Sequence, residues 1–163
     1  MHGGISPNLT SLDDIRKISR PIQNVAANPL VQDILWSDPM SSQNPLNLSS
    51  QPIFVPNSLR GLSFEFNDSA ISNCCKALKI DLIVRGHQMQ ENGYTFCQNK
   101  KLVTIFSAPN YSGKHQNLGA IMLVKSNGQI CFVLLKNNQK VENIAENSSS
   151  SSVTGTGSSD SGM

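Results

Sequence analysis

The sequence predicts a mixed α and β fold of the α+β kind, with a sheet near its end. Residues 1–80 hold three stretches with helical periodicity, whereas residues 81–136 hold four apolar, strand-like runs. Helices and strands that are segregated along a chain in this way are typical of α+β proteins. With 163 residues, the chain has the length of one ordinary domain.

Each predicted helix begins at a residue that can cap it and continues with apolar residues three or four positions apart. Ser11 can cap the first helix, Asn28 the second, and either Asn67 or Asp68 the third. The cysteines at 74 and 75 are interpreted as small core hydrophobes rather than reactive thiols. The predicted buried face of the third helix consists of Ala70, Ile71, Cys74, Ala77 and Leu78.

The strand predictions rest on alternating or continuous apolar residues. LSFEF alternates as a strand does at 62–66, and four further runs follow the third helix. The last two runs are joined by Ser126-Asn127-Gly128, and Asn-Gly is a preferred hairpin turn. The four runs are DLIVRG at 81–86, LVTIFSA at 102–108, GAIMLVK at 119–125 and QICFVLLK at 129–136.

Two segments are predicted to lack regular structure. Residues 39–58 hold four prolines and no helical period, so they form a long loop, either functional or inserted. We predict a domain over residues 1–138 and a disordered Ser/Gly-rich tail over 139–163. From Glu146 onward the chain has one valine and no aromatic residue, too little apolar surface to fold.

Composition argues against several classes of protein. The net charge is +2 and the basic residues are scattered, which does not favour a nucleic-acid partner. No run approaches the roughly 18 apolar residues of a membrane span. The four cysteines show no C-x-x-C spacing, so we expect reduced thiols in an intracellular protein, cytoplasmic or nuclear.

Five residues are candidates for chemistry. His2 and His87 lie in glycine-containing turns, and imidazole is the commonest protein ligand of first-row metals, although a lone histidine is more often structural. Arg60 and Arg85 can grip a phosphate with paired donors, or they form ordinary salt bridges. Tyr111 follows a strand in SAPNY and either faces a ligand or packs in an ordinary turn.

Seven segments occur in the order of a known family. HGGISP, ILWSDP, RGLSFEF, LIVRGHQ, NGYTF, LVTIFSAPNY and GAIMLV resemble the C-terminal half of the catalytic domain of phosphoprotein phosphatases, the metal-dependent protein serine/threonine phosphatases. The resemblance runs from His2 to about Lys136, and IRKISRP resembles the type-1 branch.

The resemblance implies half of a metallophosphatase-type β-sandwich flanked by helices, with the C-terminal strands forming one sheet. It implies hydrolysis of phosphoserine and phosphothreonine by a hydroxide that two divalent metal ions activate, with Mn, Fe or Zn as the metals. His2 and His87 would be ligands of one ion, Arg60 would hold phosphate oxygens, Tyr111 would line the substrate groove, and Asp38 would support the site. Phosphoprotein substrates and regulatory subunits are the implied partners.

Three motifs of the family do not occur in this sequence: Gly-Asp-x-His-Gly, Gly-Asp-x-Val-Asp-Arg-Gly and Gly-Asn-His-Glu. They would supply the remaining metal ligands and the general acid, so we expect no activity from this chain alone. Lys114 also stands where relatives usually carry an acid. Three interpretations stay open: a fragment of a phosphatase, a non-catalytic paralogue that binds regulatory partners, and a product that does not fold alone.

Overall fold

A computed structural model describes residues 1–97, 99–136 and 142–143. The helices are α1 (Leu12–Arg16), α2 (Pro29–Trp36) and α3 (Asp68–Leu78), and short 3-10 turns occur at Val25–Ala27, Pro45–Leu48 and Tyr111–Gly113. The strands are β1 (Asp38–Pro39), β2 (Phe54–Pro56), β3 (Phe64–Phe66), β4 (Ile83–Arg85), β5 (Tyr94–Phe96), β6 (Leu102–Ile105), β7 (Gly119–Val124), β8 (Ile130–Leu135) and β9 (Glu142–Asn143).

The nine described strands form three sheets of three strands each. The first has the order β1-β3-β2 and the second β4-β6-β5; in each, one pair is parallel and the other antiparallel. The third, β7-β8-β9, is antiparallel throughout. The predicted mixed α and β class is confirmed, and the C-terminal strands do form one sheet. Runs 81–86 and 102–108 pair with each other in the second sheet.

The predicted helix starts are confirmed. Ser11 forms a reciprocal capping box with Asp14, and Asn28 accepts a hydrogen bond from the Val31 backbone before Pro29 begins α2. Asn67, rather than Asp68, caps α3. These signals are local, because each requires only the capping side chain and the first turn that follows it.

The predicted buried face of α3 is wrong at one position. Cys75 is buried, whereas Ala77 is exposed. Cys75 faces inward and packs in the core cluster that also contains Ile83 and Leu102 of the second sheet. Both adjacent cysteines are core residues, as predicted.

The long loop predicted over residues 39–58 is only partly irregular. It contains β2 and a 3-10 turn, and β2 pairs with β3 although it ends at Pro56. Proline is tolerated because β2 lies at the edge of its sheet, where one side of the strand needs no ladder hydrogen bonds. Packing between the rings of Phe54 and Phe66, 6.4 Å apart, joins β2 to the core. The sequence does not predict β5, because the run YTF is too short to show a pattern; β3 and β4 also have three residues but lie within the longer runs LSFEF and DLIVRG.

The hairpin between β7 and β8 is confirmed, with the three predicted residues, Ser126 to Gly128, in its turn. The Gly128 amide donates to the Lys125 carbonyl at 2.9 Å, and the Lys125 amide donates to the Gln129 carbonyl at 2.8 Å. Gly128 has a φ of +83°, which suits the left-handed residue of a turn followed by a bulge.

Most of the predicted tail at 139–163 lies outside the described residues, and its disorder stays a prediction. Glu142 and Asn143, which fall within that range, pair with Leu134 and Val133 of β8 as β9. No helix among the described residues is long and apolar enough to cross a membrane.

Asn67 joins α3 to the segment that precedes it. Its side chain is completely buried. Its carbonyl oxygen accepts from the amides of Ala70 at 2.9 Å and Ile53 at 3.0 Å. Its amide nitrogen donates to backbone carbonyls of the same segment, at 2.9 Å to Gln51 and 3.3 Å to Leu46.

We expect Asn67→Ala to lower the free energy of unfolding by about 2–4 kcal/mol, because it removes a helix cap and leaves buried backbone groups without partners. Chemical denaturation followed by circular dichroism measures this change. Asn73→Ala, at an exposed position of α3, is the matched control and stays within about 0.5 kcal/mol of the wild type. Equal effects of the two substitutions would contradict the assigned role of Asn67.

Candidate active site

His2 and His87 meet although 85 positions separate them in sequence. The His2 Nε2 atom lies 3.1 Å from the His87 Nδ1 atom. Backbone hydrogen bonds hold both turns: the Gly86 amide donates to the His2 carbonyl at 3.0 Å, and the Gly3 amide donates to the Ile34 carbonyl at 2.7 Å. The two predicted metal ligands are therefore placed side by side.

Glycine at position 3 lets the first turn approach the end of α2. A Cβ atom on Gly3 would lie 2.5 Å from the Leu35 carbonyl carbon and 2.5 Å from the Trp36 amide nitrogen. Both are backbone atoms and cannot rotate away. The HGG sequence thus has a steric cause: only glycine lets the chain that carries His2 lie against this helix end.

His87 occupies a partly desolvated position. It has a φ of +65°, and its ring meets the edge of the Trp36 ring at a centroid distance of 5.3 Å. Burial, assisted by the positive charge of Arg60, lowers the pKa of His87 to about 4. Its Nε2 atom is buried without a hydrogen-bond partner among the described residues. His87 is therefore neutral at pH 7, the form that binds metals.

The histidine pair fits one divalent ion but does not complete its coordination. Two ligands at metal–nitrogen distances of about 2.0–2.1 Å on one ion lie roughly 3.0–3.4 Å apart, and the pair is 3.1 Å apart. Within the described part of the chain, no group of three or more His, Cys, Asp or Glu residues is placed to hold a metal. The pair can therefore supply two ligands, and further ones must come from elsewhere.

Asp38 lies at the centre of what we call the arginine–aspartate cluster: Asp38, Arg60 and Arg85. Its carboxylate accepts from Arg85 Nη2 at 2.7 Å, Arg60 Nε at 3.0 Å and Asn57 Nδ2 at 3.0 Å. Burial alone would raise the pKa of Asp38, but hydrogen bonds from Arg60, Asn57 and Arg85 outweigh it and lower the pKa. Asp38 is ionised at neutral pH and orients Arg60.

Arg60 is the arginine that remains available to a ligand. Its Nε atom is committed to Asp38, and one Nη2 hydrogen reaches the His87 carbonyl at 3.4 Å. The side chain is 23% exposed, and Nη1 makes no hydrogen bond with the described residues. This half-anchored guanidinium lies beside the histidine pair, where it can bind an anion bidentately.

Of the two interpretations of Arg85, the structure supports the salt bridge and not the anion binder. Its side chain is completely inaccessible, and its Nε atom donates to the Gly3 carbonyl. It also donates to Gln88 at 2.8 Å, to the Ser37 carbonyl at 3.2 Å and to Asp38. Four of the five guanidinium donors are thus used inside the protein, so Arg85 is a structural residue.

Tyr111 is not in contact with the histidine pair. Its ring lies edge-on to the Phe106 ring at 5.0 Å and stacks against the His115 ring at 6.3 Å. The residue is 47% exposed, and its predicted substrate-facing role stays a prediction. Lys114 and His115 are exposed beside it, and residues 107–118 contain no acid.

Asn57 and Gln88 are site residues that the sequence did not indicate. The Asn57 side chain accepts from the Arg60 amide at 3.1 Å while donating to Asp38, and its carbonyl accepts from the Gly61 amide at 2.9 Å. Asn57 thereby shapes the turn that presents Arg60. The local sequence indicates Asn57 only weakly. It follows Pro56 at the start of the turn PNSLRG, where asparagine side chains commonly bind the backbone.

Comparison with known proteins identifies the family. A family model described as calcineurin-like phosphoesterase matches residues 1–91, which is more than half of the chain. The chain belongs to the calcineurin-like phosphoesterase family. Membership of this family implies divalent metal ions, which agrees with a site that combines two imidazoles and an available arginine.

Several relatives support a protein phosphatase domain. A Caenorhabditis elegans serine/threonine-protein phosphatase is 40% identical over 136 residues, which are 83% of this chain and 28% of that protein. Two more Caenorhabditis elegans relatives are 37% and 39% identical over 140 and 132 residues. The chain spans between 28% and 34% of the length of these relatives. The predicted resemblance to the phosphoprotein phosphatases is confirmed.

One solved structure has the same fold. It is a protein serine/threonine phosphatase from Saccharomyces cerevisiae, described as similar to human phosphatase PP5. The match has a TM-score of 0.67 and 24% identity, and it covers 86% of this chain and 44% of that chain. At this identity the likeness establishes the fold alone.

We expect Arg85→Ala to destabilise the chain by about 3–5 kcal/mol, because it leaves the buried Asp38 carboxylate without its closest partner. Urea denaturation gives the free energy of unfolding. Arg16→Ala is the control: Arg16 forms an exposed ion pair with Asp13, and its loss changes stability by about 0.5 kcal/mol or less. A small effect of Arg85→Ala would show that the buried pair does not support the fold.

The stability contributed by ionised Asp38 depends on pH in a defined direction. Its pKa in the folded chain is below its usual value of 3.8, so the contribution is complete above that value and disappears as the pH falls through the lowered pKa. We expect the difference in unfolding free energy between wild type and Asp38→Asn to be constant from pH 7 to 5 and to shrink below about pH 4. Asn73→Ala, which removes no titrating group, keeps a constant difference. A constant difference for Asp38→Asn down to pH 2 would contradict the assignment.

Proposed function

We propose that this chain supplies part of the active site of a protein serine/threonine phosphatase. The observation that carries the proposal is the His2–His87 pair, 3.1 Å apart, beside the available guanidinium of Arg60. Family membership and the named relatives support a phosphatase, and phosphoserine and phosphothreonine in proteins are the proposed substrates.

Each residue has a proposed task. His2 and His87 would present imidazole nitrogens toward one divalent ion, with Mn, Fe or Zn as candidates. When bound, divalent ions polarise the phosphate ester and activate water for attack on phosphorus. Arg60 binds the non-bridging phosphate oxygens, and Asp38 holds Arg60 through its Nε atom so that the outer donors face the ligand. Tyr111 is proposed to contact the protein substrate.

A second candidate function is non-catalytic binding of phosphatase regulatory subunits. The specific observation in its favour is that no third metal-binding side chain lies with the histidine pair among residues 1–97, 99–136 and 142–143. A chain of this kind would display phosphatase surface without turnover and would compete for regulatory partners. Co-precipitation with such subunits tests this candidate, and failure to bind any of them counts against it.

We expect no measurable hydrolysis of para-nitrophenyl phosphate by this chain alone in the presence of manganese. The reason is that two imidazoles without carboxylate ligands do not hold the two metal ions that the reaction needs. A steady-state assay of the folded chain, with His87→Ala as background, checks this. Turnover above background that His87→Ala abolishes would contradict the expectation.

The phosphatase proposal itself is tested by a chimera. Residues 1–136 replace the matched segment of the 40% identical Caenorhabditis elegans phosphatase, which supplies the remaining chain. We expect manganese-dependent hydrolysis of a phosphoserine peptide, reduced at least 100-fold by His2→Ala, His87→Ala or Arg60→Ala.

Arg16→Ala is the matched control and leaves the activity unchanged, since Arg16 is an exposed arginine whose ion pair with Asp13 lies on α1, outside the site. Circular dichroism and gel filtration confirm that each variant is folded. A folded but inactive chimera would refute the phosphatase proposal and favour the non-catalytic candidate.

A further inference from the structure

The segment after α1 is exposed, irregular and basic. From Arg16 to Asn24 every residue except Ile18 is exposed, and no regular secondary structure occurs between α1 and the 3-10 turn at Val25–Ala27. Residues 15–22, IRKISRPI, carry three cationic side chains and no acid. Nothing in the proposed active site uses this segment.

Ser19, in the middle of the segment, is a free hydroxyl. It is exposed and makes no hydrogen bond with the described residues. Many other serines are committed to the fold: Ser6 and Ser63 donate to Asp33 at 2.6 and 2.7 Å, and Ser37 donates to the Ile5 carbonyl at 2.9 Å.

Basic neighbours distinguish Ser19 from the remaining free serines. Arg16 lies three positions before it and Lys17 two positions before it. No other serine or threonine of the chain has basic residues at both of these positions. The other exposed serines without a hydrogen bond among the described residues are Ser42, Ser50, Ser58, Ser112 and Ser126.

We propose that Ser19 is a phosphorylation site for a protein kinase that recognises basic residues before the acceptor. Such kinases carry acidic substrate pockets, and charge patterns of this kind determine kinase specificity. The Ser19 oxygen attacks the γ-phosphorus of ATP, its proton passes to the kinase's catalytic aspartate, and ADP leaves. The products are phosphoserine at position 19 and ADP.

The structure allows the segment to enter a kinase cleft at small cost. α1 has five residues, none of them fully buried; Ile15 packs half-buried against the core, whereas residues 16–22 are not part of the core cluster. Arg16 pairs with Asp13 at 2.7 Å, but both side chains are more than 60% exposed, and such pairs contribute roughly 0–1 kcal/mol. Arg16 is therefore available to an acidic pocket.

Phosphorylation would change the charge of this surface. A phosphoserine adds about −1.5 to −2 charges at neutral pH, against three cations in residues 15–22. The phosphate would lie within the same short segment as Arg16 and Arg20, whose guanidinium groups form strong bonds with phosphate oxygens. The segment joins the turn that carries His2 to α2, which ends at Trp36 beside His87.

The experiment uses the full chain, ATP and the catalytic subunit of cyclic-AMP-dependent protein kinase as a probe that selects basic residues. We expect close to one phosphate per chain, located at Ser19 by mass spectrometry. Ser19→Ala removes this phosphate, and the exposed double substitution Arg16→Gln/Lys17→Gln lowers kcat/KM at least tenfold.

Ser126→Ala is the matched control. Ser126 is an exposed, free serine that follows a lysine but has Leu123 and Val124 at the two recognition positions, so its loss leaves the rate unchanged. Circular dichroism verifies that each variant keeps the wild-type fold. The proposal is overturned if the folded chain takes up no phosphate, if the phosphate lies elsewhere, or if the double substitution leaves the rate unchanged. None of these outcomes depends on phosphatase activity.

Discussion

The buried ion pair between Arg85 and Asp38 is the contact on which the rest of the site depends. Its atoms are 2.7 Å apart, and the two side chains are 0% and 1% exposed. Taking charges out of water costs several kcal/mol per ion, so the pair is stable only because further hydrogen bonds satisfy both groups. Those bonds run to Gly3, Ser37, Gln88, Asn57 and Arg60. One pair thereby fixes the turn of His2, the end of α2, the turn of Arg60 and the turn of His87.

Features that depend on a few neighbouring residues could be predicted from the sequence. The caps Ser11, Asn28 and Asn67 lie at helix starts because each binds the first turn that follows it. The apolar runs on either side of the hairpin turn, residues 119–125 and 129–136, are long enough to show the pattern of a strand. β2 and β5 have three residues each and are strands because β3 and β6 lie beside them. Short strands of this kind are determined by tertiary partners, which a local pattern does not contain.

The candidate site also contains some residues that the sequence indicated and others that it did not. Resemblance to a family indicated His2, His87 and Arg60, and the structure brings these three together. It did not indicate Asn57. The residue pattern alone gave Arg60 and Arg85 the same two interpretations, and only the resemblance assigned the phosphate to Arg60. Arg85 and Arg60 both stand beside a glycine at the end or start of a strand. Arg85 alone is buried, because the Gly3 carbonyl, 82 positions away, meets it. A local sequence pattern does not show contacts between residues so far apart. It therefore does not separate a buried structural arginine from an arginine that is available to a ligand.

The net charge of the site residues has opposite effects on the binding of phosphate and of a divalent cation. Arg60 and Arg85 contribute two positive charges, Asp38 one negative charge, and neutral His87 none, so this surface has a net charge of about +1 at neutral pH. Such a surface attracts phosphate but repels a divalent cation, and the two imidazoles alone do not offset that repulsion. Carboxylate ligands, which suit divalent ions such as Mn²⁺, would offset that repulsion. The guanidinium of Arg60 is therefore oriented by the fold of this chain, whereas the two imidazoles are only part of the ligand set that a divalent ion would need.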